Sequence, residues 1–166
     1  MCNATTNQSL AVERLYREHR RPLLAYLARL VGDYEAAEDL CQETFLKALR
    51  SWARHDPAAS PVAWLYRIAT NTAYDYLRRR RRSALAPLVE VDVLAGDHAP
   101  GAGLEEGEGV RRALAQLPAR YRVPLLLHAC AGHSLHEIAD ALGCSHAAVK
   151  MRLLRARERF REVYQG

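Results

Sequence analysis

From Val12 onward, Leu15, Tyr16, His19, Leu23, Tyr26, Leu27 and Leu30 recur with the 3.6-residue period of a helix buried along one face. Pro22 falls inside this stripe and predicts a kink or a break, because proline lacks the amide hydrogen and its ring crowds the preceding turn. Gly32 closes the pattern. Asp33 is placed to cap a second helix with Ala37, Leu40, Cys41, Thr44, Phe45, Ala48, Leu49 and Trp52 on one face. The other face is acidic, with Glu35, Glu38, Asp39 and Glu43. The stretch HDPAAS, residues 55–60, reads as a loop. Ser60-Pro61 then supplies an N-cap and a proline at the first helical position. This third helix is expected to run to about Arg82, with Leu65, Ile68, Ala69, Thr72, Tyr76 and Leu77 inward.

The pattern then stops. LAPLVEVDVLAGDHAPGAGLEEGEG holds prolines, glycines and carboxylates but no helical stripe, and its brief VEVDV alternation is too short to stand as a strand by itself. Helical periodicity returns near Glu108, breaks at Pro118, resumes from Tyr121 to Ala131, and ends in two short helical patterns around Gly143. The expected fold is all-α: two small helical domains, 11–82 and 108–166, joined by a flexible acidic linker over 83–107 and preceded by a disordered tail over 1–10.

At 166 residues and 49% hydrophobic content the chain is long enough to bury cores in both domains. Charge sharpens the picture. The net charge is +5 and the pI about 9.2, yet the charges are segregated. Arg78 to Arg82 is an unbroken arginine run, whereas Glu90, Asp92, Asp97, Glu105, Glu106 and Glu108 follow it with no lysine or arginine between. Such a dense basic run in a basic chain points to a polyanionic partner, nucleic acid foremost. The polar opening MCNATTNQSL lacks the apolar core of a signal peptide, and no apolar run approaches the roughly 20 residues that span a bilayer, so a cytoplasmic protein is expected. Cys2, Cys41, Cys130 and Cys144 form no CxxC pair and fit reduced, mostly buried thiols.

In HSLHEIADALGCSHAAVKMRLLRARERF, residues 133–160, Ile138, Ala139 and Leu142 line a first helix and Gly143 offers a left-handed turn. Cys144, Val149 and Leu153 close the far side. Two readings fit: a plain helical hairpin with a solvated basic face, or a helix-turn-helix whose second helix enters a DNA groove. In the second reading Ser145, His146, Lys150, Met151, Leu154 and Arg155 face outward. Within the third helix, Trp64, Tyr66, Arg67, Tyr74, Arg78 and Arg79 interleave aromatic rings with cations, the combination that holds single-stranded nucleic acid. Trp64 and Tyr76 fit a core role as well.

The ordered stretches AAEDLCQETFLKAL, PVAWLYRIATNTAYDYLRRRRR and LPARYRVPLLLHACAGHSLHEIADALGCSHAAVKMRLLRARERF resemble the extracytoplasmic-function sigma factors of bacterial RNA polymerase, in the sigma-70 family. The resemblance covers about residues 11–82 and 108–162. It implies a sigma-2-like first domain, a sigma-4-like second domain and promoter-specific initiation of transcription. On it, Asp39, Gln42, Glu43 and Leu46 would meet the clamp helices of the polymerase core. Trp64, Arg67, Asn71, Tyr74, Asp75, Arg78 and Arg79 would serve the -10 element as single strand, with the 55–60 loop forming a pocket for a flipped-out base. Ser145, His146, Lys150, Met151, Leu154 and Arg155 would serve the duplex -35 element. The linker resembles the family's segment that threads the polymerase cleft, and an anti-sigma factor is a further expected partner. Two departures bear on base preference: the family commonly has a small hydroxyl residue where this chain has Met151, and a Gly-Thr pair where it has Ala147-Ala148.

Other chemistry is thinly represented. His128, Cys130, His133, His136, Cys144 and His146 could be read as a metal site, but His128 and Cys130 point to different helix faces and no zinc spacing appears, so no metal and no cofactor is expected. There is no phosphate-binding glycine loop, nucleophile motif or placed carboxylate pair, so neither catalysis nor a small-molecule substrate is expected. The alternative is a stand-alone helix-turn-helix regulator whose first domain senses a signal or dimerises.

Overall fold

The structure is a computed structural model that describes residues 2–83 and 107–166. The linker expectation and the VEVDV alternation lie outside the described residues. The first block is α1 (Cys2–Val31), α2 (Tyr34–Ser51), a 3-10 turn (Trp52–Arg54) and α3 (Pro61–Ser83). The second is α4 (Glu108–Gln116), α5 (Ala119–Ala129), α6 (Leu135–Leu142) and α7 (His146–Gln165). Among the described residues there is no strand, in keeping with the all-α expectation.

Two expectations for α1 need correction. Pro22 does not break it, because the residue sits on the exposed side while Leu23, Tyr26, Leu27 and Leu30 stay fully buried on the other. Water can serve the carbonyl that the missing amide would have bonded. The 1–10 segment, expected as a disordered tail, is helical from Cys2. Gln8 Nε2 donates to Leu49 O at 2.7 Å, one of the carbonyls that the last turn of α2 leaves without an intrahelical partner.

The first block is built around Tyr26. Thr70 Oγ1 donates to Tyr66 O at 2.7 Å, so the Tyr26 hydroxyl is the donor in its own 2.7 Å bond to Thr70 Oγ1. Burial pushes the Tyr26 hydroxyl well above its ordinary pKa, so it remains protonated and able to donate. The Tyr26 ring meets Tyr66 edge to face with centroids 5.3 Å apart. Leu65, Ala69, Ala37, Leu40 and Ala48 fill the space between α1, α2 and α3. Each large apolar side chain so buried contributes about 1.5–3 kcal/mol.

The two blocks are not held apart. α1 contacts α4 and α5, α3 contacts α6, and one apolar cluster runs from Leu23 and Leu65 to Leu117, Leu127 and Ile138. At the seam Arg122 of α5 is buried, with Nε and Nη2 donating to Leu117 O at 3.2 and 2.7 Å and Nη2 also to Ala115 O at 2.9 Å. Its Nη1 crosses to Leu30 O at 3.0 Å. Burial lowers the Arg122 pKa to about 10, which still leaves it charged at neutral pH.

Candidate polymerase and nucleic-acid interface

Asp33 caps α2 as expected, its carboxylate accepting from Ala36 N at 3.1 Å. Ala37, Leu40, Cys41, Thr44, Phe45 and Ala48 face inward, which leaves Asp39, Gln42 and Leu46 exposed on one side. Leu46 is 52% exposed, unusual for a leucine in a helix with a core face this well filled. Glu43 is half-exposed and pairs with Lys47 at 2.8 Å. Lys47 Nζ in turn donates to Thr72 Oγ1 at 3.1 Å, tying the acidic face to α3.

Ser60 Oγ accepts from Ala63 N at 3.2 Å and starts α3. Along it Arg67, Asn71, Arg78 and Arg79 are exposed, as a nucleic-acid surface requires. The aromatic residues divide. Trp64 is half-buried, edge-on to Trp52 at 5.6 Å and to His55 at 4.8 Å, while His55 stacks on Trp52 at 5.1 Å. Tyr66, expected among the outward rings, is instead 1% exposed and wedged between Tyr26 and His133. Tyr74 lies eight residues on, on the same side of α3, half-buried at the seam near Arg152 and Arg122. Tyr76 is half-buried against the core. Asp75 forms an ion pair with Arg78, and Arg79 Nε donates to Asp75 O at 3.3 Å.

A cavity of about 360 Å³ opens beside Asn71, lined by Lys47, Arg50, Ser51, Arg54, Ile68, Asn71 and Thr72. The 55–60 loop, expected to form such a pocket, supplies none of its lining. That loop folds on Asp56, whose Oδ1 accepts from Ala58 N at 2.9 Å. The cations come from the end of α2 and the turn after it. Lys47, Arg50 and Arg54 follow a three- and four-residue spacing, the one signal in the sequence from which they could have been found.

In the second block Ser134 and Glu137 form a capping box, with Ser134 N donating to Glu137 Oε2 at 2.7 Å and Glu137 N to Ser134 Oγ at 3.2 Å. Gly143 adopts φ +61° and ends α6. A side chain there would meet no heavy atom within 4 Å, so the demand is on the backbone alone. Gly143→Ala is therefore expected to destabilise the turn by about 1–2 kcal/mol, read as a lower melting temperature, with no loss of packing. The turn sets α7 across α6 with Val149, Leu153 and Ala156 buried.

On α7, His146, Lys150, Met151, Leu154 and Arg155 are exposed, with Met151 and Leu154 about half open to solvent. Ser145, expected to face DNA, is the N-cap: its Oγ accepts from Ala148 N at 3.1 Å. A hydrogen bond from Arg155 is the main cause that holds the Tyr121 hydroxyl below its ordinary pKa, and Arg159 and Arg120 lie over the Tyr121 ring at 5.1 and 4.9 Å. Tyr121 thus gathers three arginines, two of them from α7.

The residues of the metal reading scatter. His128 Nδ1 lies 3.0 Å from His133 O, His136 Nε2 is 3.7 Å from Asp140, and Arg152 Nη1 reaches Cys144 Sγ at 3.9 Å. Among the described residues no three His, Cys, Asp or Glu side chains group as a metal site. Cys41 is buried and raised to about pKa 11 by that burial, whereas Cys130 is exposed, against the expectation of mostly buried thiols. No described helix is long and apolar enough to cross a membrane.

Comparison with known proteins gives these surfaces their context. Sigma-70 region 2 matches residues 15–83, and sigma-70 region 4 matches residues 108–160. SigM of Mycobacterium tuberculosis, an extracytoplasmic-function sigma factor, is 37% identical over 152 residues, covering 90% of this chain and 74% of its own. This chain belongs to the extracytoplasmic-function sigma factors.

CarQ of Myxococcus xanthus, another RNA polymerase sigma factor, is 34% identical over 157 residues, covering 92% of this chain and 88% of its own. Among solved structures, the sigma factor RpoE, in complex with the anti-sigma factor NepR from Bartonella quintana, aligns with a TM-score of 0.75 at 26% identity. That alignment covers 92% of this chain and 96% of the other. CnrH, in complex with the cytosolic domain of CnrY, aligns at 0.64 and 26% identity, covering 98% and 92%. Within this sigma factor, region 2 is the α1–α3 block and region 4 holds the helix-turn-helix.

Proposed function

We propose that this sigma factor brings core RNA polymerase to its promoters through three surfaces on two blocks: the acidic face of α2, the basic cavity beside Asn71, and the outer face of α7. The observation that carries the reading is that regions 2 and 4 occur in order on one chain, with Asp39, Gln42, Leu46, Arg67, Asn71, Lys150 and Arg155 all exposed. Asp39, Gln42, Glu43 and Leu46 present charge around an apolar centre, the composition of a protein-binding patch. Their partner is a basic surface of the polymerase core. Trp64, Arg67, Asn71, Tyr74, Arg78 and Arg79 meet the melted -10 strand, with Lys47, Arg50 and Arg54 able to hold phosphate around a base in the cavity. Asp75 acts by positioning Arg78. His146, Lys150, Met151, Leu154 and Arg155 meet the -35 element in the major groove, while Ser145 caps their helix.

The stand-alone regulator is not favoured, since a region 2 match occupies the block that would have to sense or dimerise. We assign no catalytic role to the chain; the chemistry belongs to polymerase. Its place of action is the cytoplasm, with polymerase and DNA, and an anti-sigma factor is its proposed regulator, as in the complex of RpoE with NepR.

Run-off transcription with bacterial core polymerase, with and without the chain, tests the reading. A second test isolates α2. Asp39→Lys with Glu43→Lys should weaken capture of core polymerase by about tenfold or more, with unchanged circular dichroism, because like charge would then face a basic partner. Equal capture by variant and wild type would remove α2 as the docking face.

A further inference from the structure

We infer that region 4 carries a binding site for a medium-chain fatty carboxylate, in a cavity where α4, α5 and α7 meet. The site goes beyond the promoter-binding reading and does not depend on it.

The cavity has a volume of about 260 Å³, and its apolar walls are Val110 and Leu114 of α4, Leu125, Leu126 and Ala129 of α5, and Phe160 of α7. Leu114 and Leu126 are buried, whereas Val110, Leu125 and Phe160 are half-buried and Ala129 is exposed, so hydrocarbon runs from the core out to solvent. Tyr164 stacks on Phe160 with ring centroids 5.8 Å apart, which holds that wall in place. Arg157 and Arg161 of α7, Arg29 of α1 and the Cys130 thiol complete the lining.

Water suits this space poorly. A water held in a cavity needs about two to four polar partners, and the side chains here offer only three guanidinium groups and a thiol. Guanidinium donates hydrogen bonds and accepts none, and no aspartate or glutamate belongs to the lining. The occupant must therefore bring acceptors and negative charge at one end and hydrocarbon at the other. Arg157 and Arg161 are both exposed and lie one turn apart on α7, a spacing that lets their two forks converge on one carboxylate.

Volume sets the length of the tail. At about 30 Å³ per group, the share of one water in the liquid and close to that of a methylene, 260 Å³ holds roughly eight or nine groups. Decanoate has such a tail.

Two other occupants fit less well. A nucleobase would press its donors and acceptors against Leu114, Leu126 and Phe160, which answer none of them. A protein helix is about 10–12 Å across, so a cavity of this volume admits one of its side chains and not its backbone.

Alkylation of Cys130 by iodoacetamide tests the site on the full chain, because that thiol is exposed and belongs to the lining. Peptide mass mapping separates it from the other cysteines. Decanoate, kept below its micelle concentration, should slow the reaction several-fold along a saturable curve. Decyltrimethylammonium, with the same tail and the opposite charge, should leave the rate unchanged, as should acetate and inorganic phosphate, which lack the tail. Added salt should weaken the protection, since Arg157 and Arg161 are exposed to screening. Arg161→Glu reverses one of the paired cations, and Ala129→Trp fills the cavity from an exposed position. Each should abolish protection at unchanged helix content, measured against its own rate without decanoate.

Equal protection by decanoate and decyltrimethylammonium would leave only an apolar surface that takes any amphiphile, and overturns the proposal. So does protection that survives both variants, or none in the wild type. Protection by an amphipathic Leu/Glu peptide but not by decanoate would give the cavity to a protein partner instead. Should a variant lose helix content, the contrast between the two amphiphiles on the wild type decides alone. None of these readouts involves polymerase or DNA, so the promoter reading and this site can fail separately.

Discussion

Arg122→Met is expected to destabilise the folded chain by roughly 2–5 kcal/mol, lowering the melting temperature by about 5–15 °C. The methionine fills similar volume but donates nothing. It would leave Ala115 O, Leu117 O and Leu30 O facing a buried site without their donor. A buried acceptor so stranded loses the water it had in the unfolded chain and gains no replacement. Arg122→Lys should recover only part of the loss, because one ammonium cannot reproduce a planar fork directed at three carbonyls. Thermal unfolding followed by circular dichroism is the check, and a melting temperature within 2 °C of wild type for Arg122→Met would show the guanidinium to be dispensable.

Lys150→Ala and Arg155→Ala should each lower preference for the -35 element by roughly 1–3 kcal/mol, about 5- to 150-fold at the affected base pair. Both side chains leave the exposed side of the first three turns of α7, where Val149 and Leu153 fix the opposite side in the core. The two should differ in one respect. Arg155 lies close enough to Tyr121 to lower the pKa of its hydroxyl, a neighbour that favours one placement of the guanidinium before DNA arrives. Removing Arg155 should therefore be the more damaging. Arg157→Ala should instead weaken all sequences alike and reduce the salt dependence by about one counterion. Selection by holoenzyme from a randomised -35 element separates these outcomes; wild-type preference in both Lys150→Ala and Arg155→Ala would take base reading away from α7.

The helices and the turn at Gly143 were legible because each is set by local rules: an apolar stripe of period 3.6, a cap at Asp33 or Ser60, and a residue tolerant of positive φ. Exposure of Asp39, Asn71 and Lys150 followed from the same stripes. What could not be read was anything that depends on which stripe meets which. The alternation of rings and cations along α3 looked like one surface, yet a helix distributes such residues around its whole circumference. Tyr66 and Tyr74 turn toward region 4, while Arg67 and Asn71 turn to solvent. Arg122 was equally silent, for an arginine between Tyr121 and Val123 reads as one more surface cation until the carbonyls of Leu30, 92 residues earlier, and Leu117 converge on it. Ser145 is exposed as the stripe implies, and its further role as the cap of α7 went unread.

The order of the blocks along the chain also sets a clock. Domains fold as units during synthesis, the N-terminal one first, and a ribosome adds about 5–20 residues per second. Tyr26, Leu27, Leu40 and Leu65, all within the first 83 residues, can therefore settle while region 4 is still being made. At that pace the 60 residues from Gly107 to Gly166 take roughly 3–12 s. Throughout that interval the Tyr66 side of α3 has no region 4 to cover it, and the acidic face of α2 is already formed. Every newly made molecule thus presents the acidic face of α2 several seconds before α4 to α7 can pack against α1 and α3.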